Sequence, residues 1–93
     1  MNFEIDKVGG IGEFTVEGNK YFVPGGKAFL VVNKNTVEVR TDENLKKLLM
    51  GKYESVMESR YFGRNGIEIV LSGQLSEDEI NDIVRLSYNL TKE

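Results

Sequence analysis

The chain reads as an α+β domain, a two-layer sandwich. A mostly antiparallel sheet carries a short helix and a long C-terminal helix on one face. Three observations predict this. Short stretches with apolar residues at every second position recur from Glu13 to Leu71, with Gly- and Asn-containing turns between them. Two stretches instead repeat apolar residues at helical spacing. The 93 residues, with no linker, repeat or low-complexity segment, are enough for a single domain spanning 1–93.

Residues 3–8, FEIDKV, alternate weakly and are read as an edge strand. Gly9-Gly10-Ile11-Gly12 then breaks the pattern. This segment matches neither GxGxxG nor a Walker loop, and a strand follows it, so a turn is preferred to a phosphate cradle. Glu13–Glu17 alternates, with Phe14 and Val16 on one face. Gly18-Asn19 is a hairpin signal and Lys20–Val23 the return strand. Pro24-Gly25-Gly26 has the chemistry of a type II turn. In Lys27–Val32, Ala28, Leu30 and Val32 should point one way, and Phe29 and Val31 the other. A strand apolar on both sides is covered on both sides, by a further part of the chain or by a second copy. Thr36–Arg40 alternates Val37 and Val39 with polar residues and should have one wet face.

Thr41 is the expected N-cap of the short helix, with Leu45, Leu48 and Leu49 as its buried stripe and Gly51 as its terminator. In residues 53–62 the spacing of Tyr53, Val56 and Met57 would suit a helix. Asn65-Gly66 and the strand Ile67–Leu71 favour a hairpin instead, so Val56–Phe62 is read as a strand. The last helix has the clearest signals. Ser76 and Glu79 make a capping box, Leu75 and Ile80 stand at the staple positions, and Glu77, Asp78 and Glu79 favour the positive end of the dipole. Ile80, Ile83, Val84, Ser87 and Leu90 form its apolar face, with Leu86 and Tyr88 at the margins. Ser87 is read as a small residue that allows close approach to the sheet.

The chain has neither cysteine nor histidine. That removes disulfides, thiolate chemistry, the commonest general base and the commonest metal ligand. No signal sequence opens the chain, and Ala28–Val32 is the longest apolar run, so the cytoplasm is the expected compartment. Basic and acidic side chains balance over residues 1–74. The excess that gives the net charge of −3 lies in Glu77, Asp78, Glu79, Asp82 and Glu93, against Arg85 and Lys92.

Several segments together resemble the YjbR/MmcQ-like domains. They are GGKAF (Gly26, Lys27, Phe29), the run NTVEVRTDENLKKLL (Asp42 with Leu48), IEIVLSG, and the last helix with Ser87 and Tyr88. The stretch GGIGEFTVEGNKYF is similar to the opening of the N-terminal domain of TfoX-like competence regulators. The likeness runs in order over residues 10–90. It departs at the family's opening helix, and at a His-Trp pair where this chain has Arg64-Asn65-Gly66. It implies a cytosolic prokaryotic domain, sometimes proposed to bind DNA or act in regulation, and does not imply an enzyme.

Candidate sites are few. The acidic group Glu77, Asp78, Glu79 and Asp82 has hard-metal ligand types, but consecutive helical residues point apart and the helix dipole explains them. Lys46, Lys47, Lys52, Arg60 and Arg64, interleaved with Tyr53 and Tyr61, form the one regional basic excess. Charge with aromatics is the recipe for nucleic-acid or anion binding. The sequence therefore predicts a non-enzymatic binding or interaction domain without cofactor or metal, acting as a homodimer or with a protein partner. The alternative is a regulatory nucleic-acid-binding domain using residues 46–64.

Overall fold

The computed structural model describes residues 1–93. Six antiparallel strands form one sheet in the order β1-β2-β3-β4-β6-β5. They are β1 (Thr15–Glu17), β2 (Lys20–Phe22), β3 (Ala28–Val32), β4 (Thr36–Arg40), β5 (Val56–Ser59) and β6 (Gly63–Val70). Helix α1 (Glu43–Lys52) packs on β5 and β6, and α2 (Glu77–Lys92) on β3 and β4. This is the predicted α+β sandwich. No helix is long and apolar enough to cross a membrane.

The main core lies between the sheet and α2. Leu30, Val39 and Ile67 are aligned across three strands and Val37 and Ile69 across two, and all are buried with Ile80, Ile83 and Val84 in one core. The capping box is present: the Glu79 N–H donates to Ser76 Oγ at 3.1 Å and the Ser76 N–H to Glu79 Oε1 at 2.9 Å. Tyr88, expected at the margin, is buried, whereas Leu86 is exposed and Leu90 half-buried.

β3 departs from simple alternation. Tyr21 pairs with Leu30 and Phe22 with Ala28, so β3 carries one residue more than β2 at this point, Phe29. Such a bulge turns two successive side chains to the same face. Phe29 therefore joins Leu30 in the main core, edge-on to Tyr88 at a centroid distance of 5.2 Å. Ala28 and Val31 share the other face with Phe62. The expected grouping of Ala28 with Leu30 is thus corrected. Ser87 does more than fit closely: its Oγ donates to the carbonyl of the bulged Phe29 at 2.9 Å.

Other boundaries shift for local reasons. Residues 3–8 form no strand; Ile5–Lys7 is one 3-10 turn closed by Lys7 N–H to Glu4 O and Val8 N–H to Ile5 O. Residues 9–13 then run beside α2, where Arg85 donates to the Gly9 carbonyl and Tyr88 Oη to that of Glu13 at 2.7 Å. The cap of α1 is Asp42, which accepts from the Leu45 N–H at 2.7 Å, and not Thr41. Gly51 lies inside α1, which ends at Lys52. Leu48 is 64% exposed, because α1 meets the sheet through its i, i+4 pair Leu45 and Leu49, and Leu48 turns away from that line.

Residues 56–59 are a strand, but the hairpin turns at Arg60–Phe62, with Gly63 at φ 60 supplying the left-handed residue. Asn65-Gly66 belongs to β6. Glu58 pairs with Ile67 and Ser59 with Gly63, so Arg64, Asn65 and Gly66 have no partners on β5.

Two substitutions test this packing. A Cβ at Gly66 would meet Val39 O at 2.5 Å and Phe62 Cβ at 2.7 Å, so Gly66→Ala should lower unfolding free energy in urea by about 1–3 kcal/mol. Ser87→Ala strands the Phe29 carbonyl and should cost about 1–3 kcal/mol in the same measurement. A loss near zero for either would contradict the close approach or the bond described.

Candidate anion-binding site

Five basic residues are adjacent in sequence and separated in space. Lys46, Lys47 and Arg64 line one cleft of about 770 Å³, together with Thr41, Asp42, Glu43, Met50, Gly51 and Asn65. Lys52 and Arg60 do not line it. The geometry follows from two local features. On α1, positions 43, 46, 47, 50 and 51 fall on one face at helical spacing. Opposite them, the residues unpaired with β5 carry Arg64 and Asn65, and the Asn65 carbonyl is held by the Thr41 N–H at 2.9 Å.

The cations differ in how far they are engaged. Lys46 Nζ lies 2.6 Å from Glu58 Oε1 and its side chain is only 12% exposed, so it ties α1 to β5. Lys47 meets Glu43 at 3.3 Å, both side chains well exposed. Lys52 Nζ lies over the ring of Tyr53 at 5.3 Å. Arg64 makes no ion pair in the structure. Thr41 is 5% exposed, and its hydroxyl, freed from the capping role that Asp42 takes, has no hydrogen-bond partner.

Arg60 belongs to a different constellation, on the sheet face away from α2. Glu38 and Glu68 face each other across β4 and β6, and are 3% and 4% exposed. Like charges so placed repel. Arg60 offsets this with a bidentate contact to Glu68, Nε–Oε1 2.9 Å and Nη2–Oε2 2.7 Å, and Thr36 Oγ1 donates to Glu68 Oε2 at 2.6 Å. Glu38 accepts from the Tyr61 N–H at 2.8 Å, Ser59 Oγ at 2.7 Å and Asn33 Nδ2 at 2.9 Å. The expected wet face of β4 is therefore dry at Glu38, because the β5–β6 turn folds over it.

The same turn seats Phe62 against Ala28 and Val31, with Phe22 packed alongside. The guanidinium of Arg40 lies over the Phe62 ring at 5.1 Å. The chain thus covers the second apolar face of β3 itself, which removes the reason for placing a second copy there. On α2, Glu79 serves the cap, Asp82 pairs with Arg85 at 2.7 Å and Glu77 with Lys7 at 3.5 Å, so the acidic residues are dispersed.

Sequence reasoning missed Thr41 as a cleft residue, and missed Asn65 and the Glu38–Glu68 pair. Strand alternation carries no register that would set Glu38 opposite Glu68. Comparison with protein-family models, curated proteins and solved structures returned no match, so the resemblance to YjbR/MmcQ-like domains rests on the residues that carry it.

Burial pushes the Glu38 carboxyl up, but the Tyr61 N–H, Asn33 amide, Ser59 hydroxyl and Arg60 charge together outweigh it and hold Glu38 below its ordinary value of 4.5. A carboxylate lowered on folding stabilises the protein above its unfolded value, and that contribution is lost as pH falls through the folded value. Glu38→Gln should therefore be less stable than the parent at neutral pH, with the difference shrinking below pH 4.5. Urea melts across the acid range would show this. A difference independent of pH would remove Glu38 from the acid response.

Proposed function

We propose that this protein is a non-enzymatic binding module that holds an anionic group in the cleft between α1 and the start of β6. The observation that carries the reading is the convergence of Lys46, Lys47 and Arg64 on one cleft. The lining sets these three cations against two carboxylates, Asp42 and Glu43, and such a basic excess in a concave site raises the local concentration of anions. Two further observations support a binding role over catalysis. Histidine and cysteine are absent from the sequence, and the most deeply buried carboxylates, Glu38 and Glu68, lie outside the cleft with their oxygens engaged in hydrogen bonds.

The same placement weakens the idea of a nucleic-acid strand tracked along residues 46–64. Following a backbone needs a basic stripe with exposed aromatics beside it. Here Lys52 and Arg60 lie off the cleft, and Tyr61 is on the β5–β6 turn with Lys20 at 5.4 Å from its ring. A strand would find one point of contact.

Inorganic polyphosphate and a labelled single-stranded DNA serve as polyanion probes. Both should bind at low salt, with a DNA salt slope no steeper than about −1.4, as the two exchangeable cations Lys47 and Arg64 and about −0.7 per neutralised phosphate allow. Lys47→Glu with Arg64→Glu should weaken binding by about tenfold or more. Lys34→Glu, at the β3–β4 turn outside the cleft, should leave it unchanged. Absence of binding to both probes at low salt, or equal loss in the Lys34→Glu control, would overturn the reading.

A further inference from the structure

Building on the anion-site reading, we infer that the cleft takes a phosphate monoester carried by a small polar molecule of the sugar-phosphate kind. Its volume of about 770 Å³ falls within the usual range of small-molecule sites, about 300–1,000 Å³. The lining is unusual for such a site: Met50 is the one apolar residue in it. A nucleobase would have almost nothing to stack on. The hydroxyls of a sugar would instead find acceptors and donors in Asp42, Glu43 and Asn65.

The charges favour a compact dianion over a long polyanion. Lys46 is held by Glu58 and nearly buried, so two cations remain for a ligand. Arg64 has no carboxylate partner, and its planar fork matches two phosphate oxygens. Lys47 is bound only to exposed Glu43 and can be exchanged. Asp42 and Glu43 stand in the same wall. An extended polyanion would pass these carboxylates, while a single phosphate can sit on the Arg64 and Lys47 side alone.

Two sets of donors remain for the sugar, on the Asp42 and Glu43 side of the cleft. The Leu45 N–H is taken by the Asp42 side chain and that of Lys46 by the Asp42 carbonyl, but the N–H groups of Glu43 and Asn44 have no acceptor within the helix. Thr41 belongs to the same lining, and its buried, unpartnered hydroxyl would have to turn to meet a ligand. A hydroxyl in that state is stabilised by any acceptor it can reach by rotating about Cα–Cβ.

Calorimetric titration of the full chain would compare glucose-6-phosphate, glucose, inorganic phosphate, AMP and a single-stranded DNA lacking terminal phosphates. Glucose-6-phosphate should bind about tenfold or more tighter than inorganic phosphate, and glucose should not bind. Arg64→Gln should lose about tenfold, and Thr41→Val should lose severalfold for phosphate monoesters with DNA binding unchanged. Circular dichroism melts would confirm that both variants fold. AMP or the DNA binding as tightly as glucose-6-phosphate would overturn the sugar-phosphate assignment and leave the anion site standing. Failure of every anion to bind would instead remove the site itself.

Discussion

The extra residue in β3 is the constraint on which the rest of the structure depends. Opposite Tyr21 and Phe22 the strand must fit in Phe29, and the bulge turns that ring towards α2 beside Leu30. A bulge disturbs the ladder locally, so its backbone needs other partners. Ser87 provides one for the Phe29 carbonyl, and the size of Ser87 also lets α2 come close enough to do so. Phe29 in turn joins a run of aromatic contacts from Phe14 through Tyr21 to Tyr88. The hydroxyl of Tyr88 then fixes the chain at Glu13. One insertion thus sets the position of the long helix, the N-terminal segment and the first hairpin.

The second consequence of the bulge lies on the opposite face. It leaves Ala28 and Val31 together there, an apolar patch that water would otherwise meet. The β5–β6 turn covers it with Phe62, and carrying that turn inward brings Tyr61 and Ser59 onto Glu38. Burying two facing carboxylates is unfavourable unless each is fully hydrogen-bonded. Here one has a bidentate arginine and the other two side-chain donors and a backbone N–H. The polar network therefore locks the turn in place, while the apolar contact drives it there.

Much of this was readable from local chemistry. The capping box needs residues three apart, and Ser76 with Glu79 announces it without reference to the sheet. The strand pattern and the two helices are local in the same sense. Bulges are not: an inserted residue leaves the composition of β3 unaltered, so simple alternation separates Phe29 from Leu30, whose face it shares. Asn65-Gly66 reads as the hairpin turn because Asn-Gly is a turn signal, whereas Gly63 supplies the positive φ. Glu38 looked solvated because the residues that bury it arrive from a turn more than 20 positions away. The basic excess was visible, but only folding divides Lys46, Lys47 and Arg64 from Lys52 and Arg60.

That division also ranks the cations. An ion pair between exposed side chains adds little to stability, so the hold of Glu43 on Lys47 is easily traded for a ligand. Lys46 is different. Its side chain is nearly buried although Glu58 is exposed, and their short contact ties α1 to the edge strand. Lys46 therefore acts as positive background to the cleft, contributing field without changing partner. Arg64 stands at the other extreme, on a segment released from the β5 ladder and with no carboxylate to leave. The same irregularity in β6 that displaced the expected turn thus presents the one uncommitted cation to the cleft.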